Sequence, residues 1–174
     1  MNGLVHLYEG DGKGKTTAAV GLSVRCAGHK RKVLFTQFLK DGSSGEIGVL
    51  KKIDGITVFS FKKKFGFTFQ MSENEKETAR ECYRAYFDEI VEKVTKEEFD
   101  LLVLDEVIDA CNSTILEEKS LLDFLKNRPK TLEVVLTGRN PSKKVVTYAD
   151  YYTKMQKIKH PFDQGVVARS GIER

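Results

Sequence analysis

The sequence predicts an α/β fold, a three-layer arrangement in which helices cover both faces of a mostly parallel sheet of about six strands. Three observations carry that expectation. Short apolar runs alternate with helix-patterned stretches along the whole chain. A glycine-rich turn links the first apolar run directly to the first helical one. The 174 residues hold no internal repeat, low-complexity tract or linker rich in proline or serine, which points to a single domain over 1–174.

The first strand is expected at 4–8, where Leu4, Val5, Leu7 and Tyr8 cluster. The helix after it, at 15–29, is carried by Ala18, Ala19, Val20, Leu22 and Val24. A second strand at 32–38 leads to a helix at 44–53 and a third strand at 56–61. The long helix at 72–95 is amphipathic, with Ala79, Cys82, Tyr83, Tyr86, Ile90, Val91 and Val94 recurring at three- and four-residue spacing. Ser72 with Glu75 has the pattern of a capping box at its start. Strands at 100–105 and 132–137 flank a helix at 117–127, and a helix at 142–148 precedes a last strand at 151–157. From 159 onward glycines and charges are too frequent for a regular helix, and the plainer reading of that stretch is a trailing tail.

Gly10-Asp11-Gly12-Lys13-Gly14-Lys15-Thr16-Thr17 falls beyond the carboxyl end of the first strand, where open parallel sheets bind ligands. The backbone N–H groups of such a turn converge on an anion, the helix N-terminus adds partial positive charge, and Lys15 adds a full one. The Thr16 hydroxyl is suited to hold the magnesium that accompanies a nucleoside triphosphate. These features predict a P-loop of RecA-like type that binds ATP or GTP. The usual pattern has four residues between its first glycine and Gly-Lys-Ser/Thr. Counting back from Gly14 puts Glu9 at that position, so the turn from Gly10 is one residue short and carries an extra lysine, Lys13. A shorter loop cannot wrap a β-phosphate in the usual way, and the triphosphate is expected to sit differently. The plainer alternative is a surface turn rich in lysine and glycine.

Other candidates follow from the strand ends. Leu101-Leu102-Val103-Leu104-Asp105-Glu106 is an apolar strand ending in acids, the pattern of a Walker B element. Either Asp105 or Glu106 can orient the metal shell, and the spacing does not choose between them; the alternative is an acid at a helix start. Leu136-Thr137-Gly138-Arg139 offers a close backbone approach and a forked phosphate donor in Arg139, against the alternative of a surface arginine. Gln37 and Lys40 end the second strand and are candidates for substrate contact or for a solvated loop. Phe61-Lys62-Lys63-Lys64-Phe65-Gly66-Phe67-Thr68-Phe69 interleaves aromatics with lysines. That pattern suits stacked nucleic-acid bases, a mobile loop over a flat anionic molecule, or a strand with a lysine-rich exposed face.

Composition narrows the classes. Hydrophobic residues make up 40% and charged ones 31%, as in a soluble globular protein. No apolar run approaches the ~20 residues of a membrane span, and Met1-Asn2-Gly3-Leu4 leads straight into the first strand with no signal-peptide pattern. Three cysteines without a Cys-x-x-Cys pair suit reduced thiols in a cytoplasmic protein and give no zinc site. A formal charge of +4 favours anionic ligands but is too small to argue for nucleic acid.

Together these residues resemble the P-loop corrinoid adenosyltransferases, the ATP:cob(I)alamin and cob(I)yrinic acid a,c-diamide adenosyltransferase family. The resemblance covers nearly the whole chain. It rests on the short loop Gly10 to Thr17, on Arg25-Cys26-Ala27-Gly28-His29, Gln37-Phe38 and Gly66-Phe67-Thr68-Phe69, and on Leu104-Asp105-Glu106, Leu136-Thr137-Gly138-Arg139 and the Lys-His-x-Phe-Asp-x-Gly-Val-x-Ala stretch from Lys159. It implies that Co(I) of a cobalamin or corrinoid precursor attacks the 5′-carbon of ATP and releases triphosphate, with ATP bound in reverse relative to other P-loop enzymes. Lys13, Lys15 and the loop amides would then stabilise the departing triphosphate. Thr16 and Glu106, with Asp105 nearby, would hold Mg2+. Thr17, Arg25, Gln37 and Arg139 would complete the nucleotide site. Phe67 and Phe69 would crowd the lower face of the corrinoid and displace its lower ligand. Phe69 stands where many members have tryptophan. Many members also carry an N-terminal extension that helps cover the site, so here a partner chain would cover it or it would stay more open. The family further implies an electron-donor protein and a homodimer, with no nucleic-acid or membrane partner.

Two other classes compete. A RecA-like ATPase coupling hydrolysis to a macromolecular partner would use Glu106 to polarise water and Arg139 or Arg169 as an arginine finger. A small-molecule kinase would need an ordinary γ-phosphate pocket and an arginine-rich lid. Both predict the four-residue loop spacing that this chain lacks, and the adenosyltransferase reading is preferred.

Overall fold

The computed structural model of the protein describes residues 2–61, 63, 65 and 71–173. β1 (Val5–Glu9) leads into α1 (Lys15–Gly28), β2 (Val33–Gln37) into α2 (Gly45–Leu50), and β3 (Ile56–Ser60) toward the long α3 (Glu73–Lys96). β4 (Leu101–Asp105) is followed by α4 (Val107–Asn112) and α5 (Glu118–Asn127), and β5 (Glu133–Gly138) by α6 (Lys143–Thr147). β6 (Tyr151–Lys154) precedes a 3-10 turn at Pro161–Gln164.

Among the described residues the strands form one six-stranded sheet in the order β3-β2-β4-β5-β1-β6, with every pairing parallel. β2, β4 and β5 are largely apolar because both of their faces are covered, while β1 alternates buried with half-buried residues. Leu34, Leu102, Leu104, Val134 and Leu136 enter the core under α3, α4, α5 and α6. Their neighbours Val33, Phe35, Leu101, Val103 and Val135 enter a second core with Ala19 and Ala27 of α1 and Ile47 and Leu50 of α2. Two cores on opposite faces make the expected three layers. The edge strand β6, by contrast, is exposed along its length.

The capping box at α3 is formed: Ser72 Oγ accepts from Glu75 N, and Glu75 Oε2 accepts from Ser72 N at 2.8 Å. The buried face of α3 carries Tyr83 and Tyr86, which fix the chain as it leaves β3. Phe61 stacks on Tyr83 at 4.2 Å, Phe65 lies 5.9 Å from Phe61, and the Tyr86 hydroxyl donates to Phe59 O at 2.6 Å. Of the lysine–aromatic stretch, Phe61 and Phe65 are thus packed against α3 while Lys63 is exposed.

Three elements differ from expectation. α4 is only six residues long, too short to show a periodicity. β6 stops at Lys154 rather than at 157, because the next residues bond to the Gly10–Thr17 loop rather than continue a ladder. The C-terminal stretch, for which a trailing tail is the plainer reading of the sequence, is bonded within itself. His160 Nδ1 accepts from Phe162 N at 3.1 Å, Lys157 pairs with Asp163 at 2.9 Å, and Arg169 with Glu173 at 2.7 Å.

Candidate nucleotide site

The glycine-rich loop leaves β1 at the carboxyl edge of the sheet and is held from beneath by the segment that follows β6. Met155 N donates to Glu9 O and Gly12 N donates to Met155 O, each at 2.7 Å, while Lys157 N donates to Asp11 Oδ1 at 3.0 Å. The bond from Lys157 N holds the Asp11 carboxyl below its ordinary pKa. Gly10 has φ +119, and a Cβ there would lie 2.4 Å from Met155 O, so the backbone sits closer than any side chain permits. Gly14 occupies the N-cap of α1, and Lys13 and Thr17 are exposed to the space above the loop.

Lys15 folds into the concave side of the loop, where Nζ donates to Gly10 O at 2.6 Å and Gly12 O at 2.9 Å. Burial lowers its pKa, and the positive charge of Arg139 adds to that. The ammonium therefore lies among the groups that would surround a phosphate.

Beneath the loop, Asp105 at the end of β4 is fully buried. Its Oδ1 accepts from Thr16 Oγ1 at 2.9 Å and from Thr137 Oγ1 at 2.7 Å. Its Oδ2 accepts from Gln37 Nε2 and from Lys40 Nζ, both at 3.2 Å. Parallel pairing of β2 with β4 puts Gln37 directly across from Asp105. Gln37 Nε2 also donates to Glu46 Oε1 at 3.0 Å, which fixes the amide so that Oε1 is left buried without a hydrogen-bond partner.

Glu106 turns the chain sharply from β4 into α4 in a left-handed conformation, φ +62. Its N–H donates to Thr137 Oγ1 at 2.8 Å, so one buried hydroxyl supports both acids. Glu106 occupies the N-cap of α4 but makes no side-chain cap bond; its carboxylate faces Lys40 Nζ at 3.4 Å instead. Burial raises the pKa of Glu106 against the pull of Lys40. Arg139 follows Gly138, whose φ is +149 and whose Cβ would clash with Ile108 Cβ at 2.6 Å, so β5 passes tightly over α4. The Arg139 guanidinium lies 3.8 Å from Asp109 Oδ1 on the exposed rim.

The fold thus brings Thr16, Gln37, Asp105 and Glu106 together beside the loop. Arg25 is not brought to them. It lies in the last turn of α1, roughly 15 Å along the helix from Lys15, where its charge acts on Tyr8. The positions Phe67 and Phe69 fall outside the described residues. Lys40, weighed in the sequence for substrate contact or a solvated loop, binds both acids. Thr137 carried no sequence signal beyond being a polar residue that closes an apolar strand.

The residues fit magnesium. Thr16 spends its hydroxyl proton on Asp105 and keeps lone pairs free, and the unpartnered Gln37 Oε1 is a further oxygen donor beside two carboxylates. Mg2+ prefers such a sparse set of oxygen donors and draws its remaining ligands from water and phosphates.

A parallel sheet whose first strand ends in a Gly-Lys-Thr loop, bonded through its threonine to a buried aspartate on β4, defines a protein of the P-loop fold. A solved structure shares the architecture. The cytoplasmic domain of the Thermomonospora curvata Type VII secretion ATPase EccC superposes with a TM-score of 0.50 at 13% identity, over 94% of this chain and 21% of that one, a likeness of fold alone. The chain belongs to the ATP:corrinoid adenosyltransferase BtuR/CobO/CobP family, which it matches over residues 1–174, and is an enzyme of that transferase class. It is 31% identical over 172 residues to the corrinoid adenosyltransferase of Escherichia coli and to corrinoid adenosyltransferase CobA of Salmonella typhimurium, covering 98% of this chain and 85% of each relative. The corrinoid adenosyltransferase of a Sinorhizobium species is 31% identical over 173 residues, covering 98% of this chain and 80% of that one.

Proposed function

We propose that the chain transfers the 5′-deoxyadenosyl group of ATP to Co(I) of cobalamin or a corrinoid precursor through the residues gathered at the loop. The electron pair of Co(I) forms the cobalt–carbon bond as the bond from the 5′-carbon to the triphosphate oxygen breaks, and the pair from that bond leaves with triphosphate. The cobalt becomes formally Co(III), so an electron-donor protein must supply Co(I) for each turnover.

What the chain must provide is a place for the leaving group. Lys15, once released from the Gly10 and Gly12 carbonyls, together with Lys13 and the loop N–H groups, neutralises negative charge that grows on triphosphate in the transition state. Thr16, Asp105 and Glu106, with Gln37 in support, hold Mg2+, which supplies further charge neutralisation when bound. Arg139 closes the rim. Asp105 is engaged by four donors and is poorly placed to take a proton, which suits a reaction whose nucleophile is a metal centre and needs no base. The observation that supports this reading most directly is the coupling of a loop one residue short to buried Asp105 through Thr16 at 2.9 Å. Phe67 and Phe69 remain assigned to the corrinoid face, a homodimer to the assembly, and the cytoplasm to the location, where free cysteines stay reduced.

The test is anaerobic. Protein, ATP, Mg2+ and chemically reduced cob(I)alamin should give a light-sensitive alkylcobalamin and an equal amount of triphosphate. ADP and orthophosphate without alkylation would refute the reading in favour of a RecA-like ATPase.

A further inference from the structure

We infer that Lys40 is a tethered cation that holds the magnesium position in the nucleotide-free protein, leaves it when the metal arrives with ATP, and then turns to the triphosphate. This rests on the assignment of Asp105 and Glu106 to the metal. Lys40 Nζ lies 3.2 Å from Asp105 Oδ2 and 3.4 Å from Glu106 Oε1, and its side chain is only 27% exposed. Glu46 is the remaining charge that acts on it from α2. Two carboxylates this close and this enclosed demand a positive charge between them, because an unpaired buried charge is costly.

Charge counting shows why the lysine cannot stay. Asp105 and Glu106 carry two negative charges, which one Mg2+ cancels by itself. A lysine ammonium left a few ångströms from the ion would repel it. The backbone around Lys40 is built to let it move. Leu39 is left-handed at φ +57 and Gly42 at φ +77, and the residues from 38 to 44 form no helix or strand between β2 and α2. The four-carbon stem can therefore swing without disturbing Phe38, which is fully buried. Magnesium entry and phosphate contact become one exchange: the metal takes the carboxylates and the ammonium takes the anion that came with it.

The experiment titrates Mn2+ into the nucleotide-free full chain and follows free Mn2+ by electron paramagnetic resonance. Lys40→Met should bind Mn2+ at least about tenfold more tightly than the wild type, the effect a unit charge has on a nearby divalent ion even at the dielectric of water. Lys40→Arg should stay close to the wild type. A variant that merely loosened the fold would bind Mn2+ less tightly, so the sign separates the two explanations. Lys40→Gln, which keeps donors for both carboxylates without the charge, serves if Lys40→Met does not fold and should show the same gain. No gain in a folded neutral variant overturns the inference. ATP-dependent Mn2+ binding that survives Thr16→Val and Glu106→Gln would instead overturn the metal assignment itself, and the role of Lys40 with it.

Discussion

Thr137→Val removes one oxygen from the interior and leaves the shape of the side chain nearly unchanged. That oxygen donates to Asp105 Oδ1 at 2.7 Å and accepts from Glu106 N at 2.8 Å, at a residue 1% exposed. Losing a hydrogen bond to a charged group costs about 1.5–3 kcal/mol, and the buried N–H left without a partner costs about 1–3 kcal/mol more. Some of this is recovered by the added methyl and by relaxation, so a loss of about 3 kcal/mol is expected. For a chain of this length that lowers Tm by about 6–12 °C. Thr137→Ser keeps the oxygen and deletes a methyl, which costs about 1 kcal/mol. Urea unfolding of both variants beside the wild type should therefore rank them wild type, Ser, Val. The left-handed backbone of Glu106 loses its anchor in the Val variant alone, so Mg2+-dependent ATP affinity should fall with stability there and not in Ser. A Val variant within about 0.5 kcal/mol of the wild type, or one more stable than Ser, would refute the claim that Thr137 organises the two acids.

Lys15→Met should reduce the adenosylation rate by about 10²-fold or more with little change in the urea midpoint, since the lysine bonds only to its own loop; comparable turnover by the variant would remove Lys15 from the triphosphate site. Gly10→Ala should destabilise the chain by about 1–3 kcal/mol through backbone strain, and by more if the 2.4 Å clash with Met155 O is not relieved; both urea unfolding and ATP titration read this out, and an unperturbed variant would contradict the packing of the loop. Saturating Mg2+–ATP, at about 100 times its Kd, should stabilise the fold by about 2.7 kcal/mol, and chelation of the metal should remove much of that shift in a thermal melt. Glu173 should titrate at about 2 because Arg169 hydrogen-bonds its charged form. Its folded pKa lies below the unfolded value of 4.5, so the stabilisation it gives the C-terminal turn is present above 4.5 and lost as pH falls toward about 2. Carboxyl NMR shifts should show that midpoint, and Arg169→Ala, which removes the guanidinium bonds but keeps the Arg169 N–H bond, should raise it part of the way toward the ordinary range.

The sheet was legible because β2, β4 and β5 are enclosed on both faces, which forces largely apolar runs that loops seldom imitate. The loop and Asp105 were legible because phosphate chemistry restricts residue type and spacing together. Gln37 and Lys40 were legible as strand-end candidates for substrate contact, but their link to Asp105 was not: it comes from register, since β2 lies beside β4 and sets the amide across from Asp105. The role of Thr137 was hidden for the same reason, as its partners lie more than thirty residues away along the chain. Arg25 was carried in by family resemblance, and helix geometry sets it far from the loop. α4 escaped because six residues give no period, and the bonding of Met155 and Lys157 to the loop is made largely by backbone atoms, which leave no trace in residue type.

The order of strands across the sheet also dictates an order in time. β1 comes before the other five strands in the chain, yet among the described residues its ladders run only to β5 and β6, which follow the rest. The glycine-rich loop, translated directly after β1, then gains its floor from Met155 and Lys157. A nascent chain stopped before that point carries the whole nucleotide motif in its sequence and has nowhere to seat it. The loop that is read early is thus the part of the proposed site finished last.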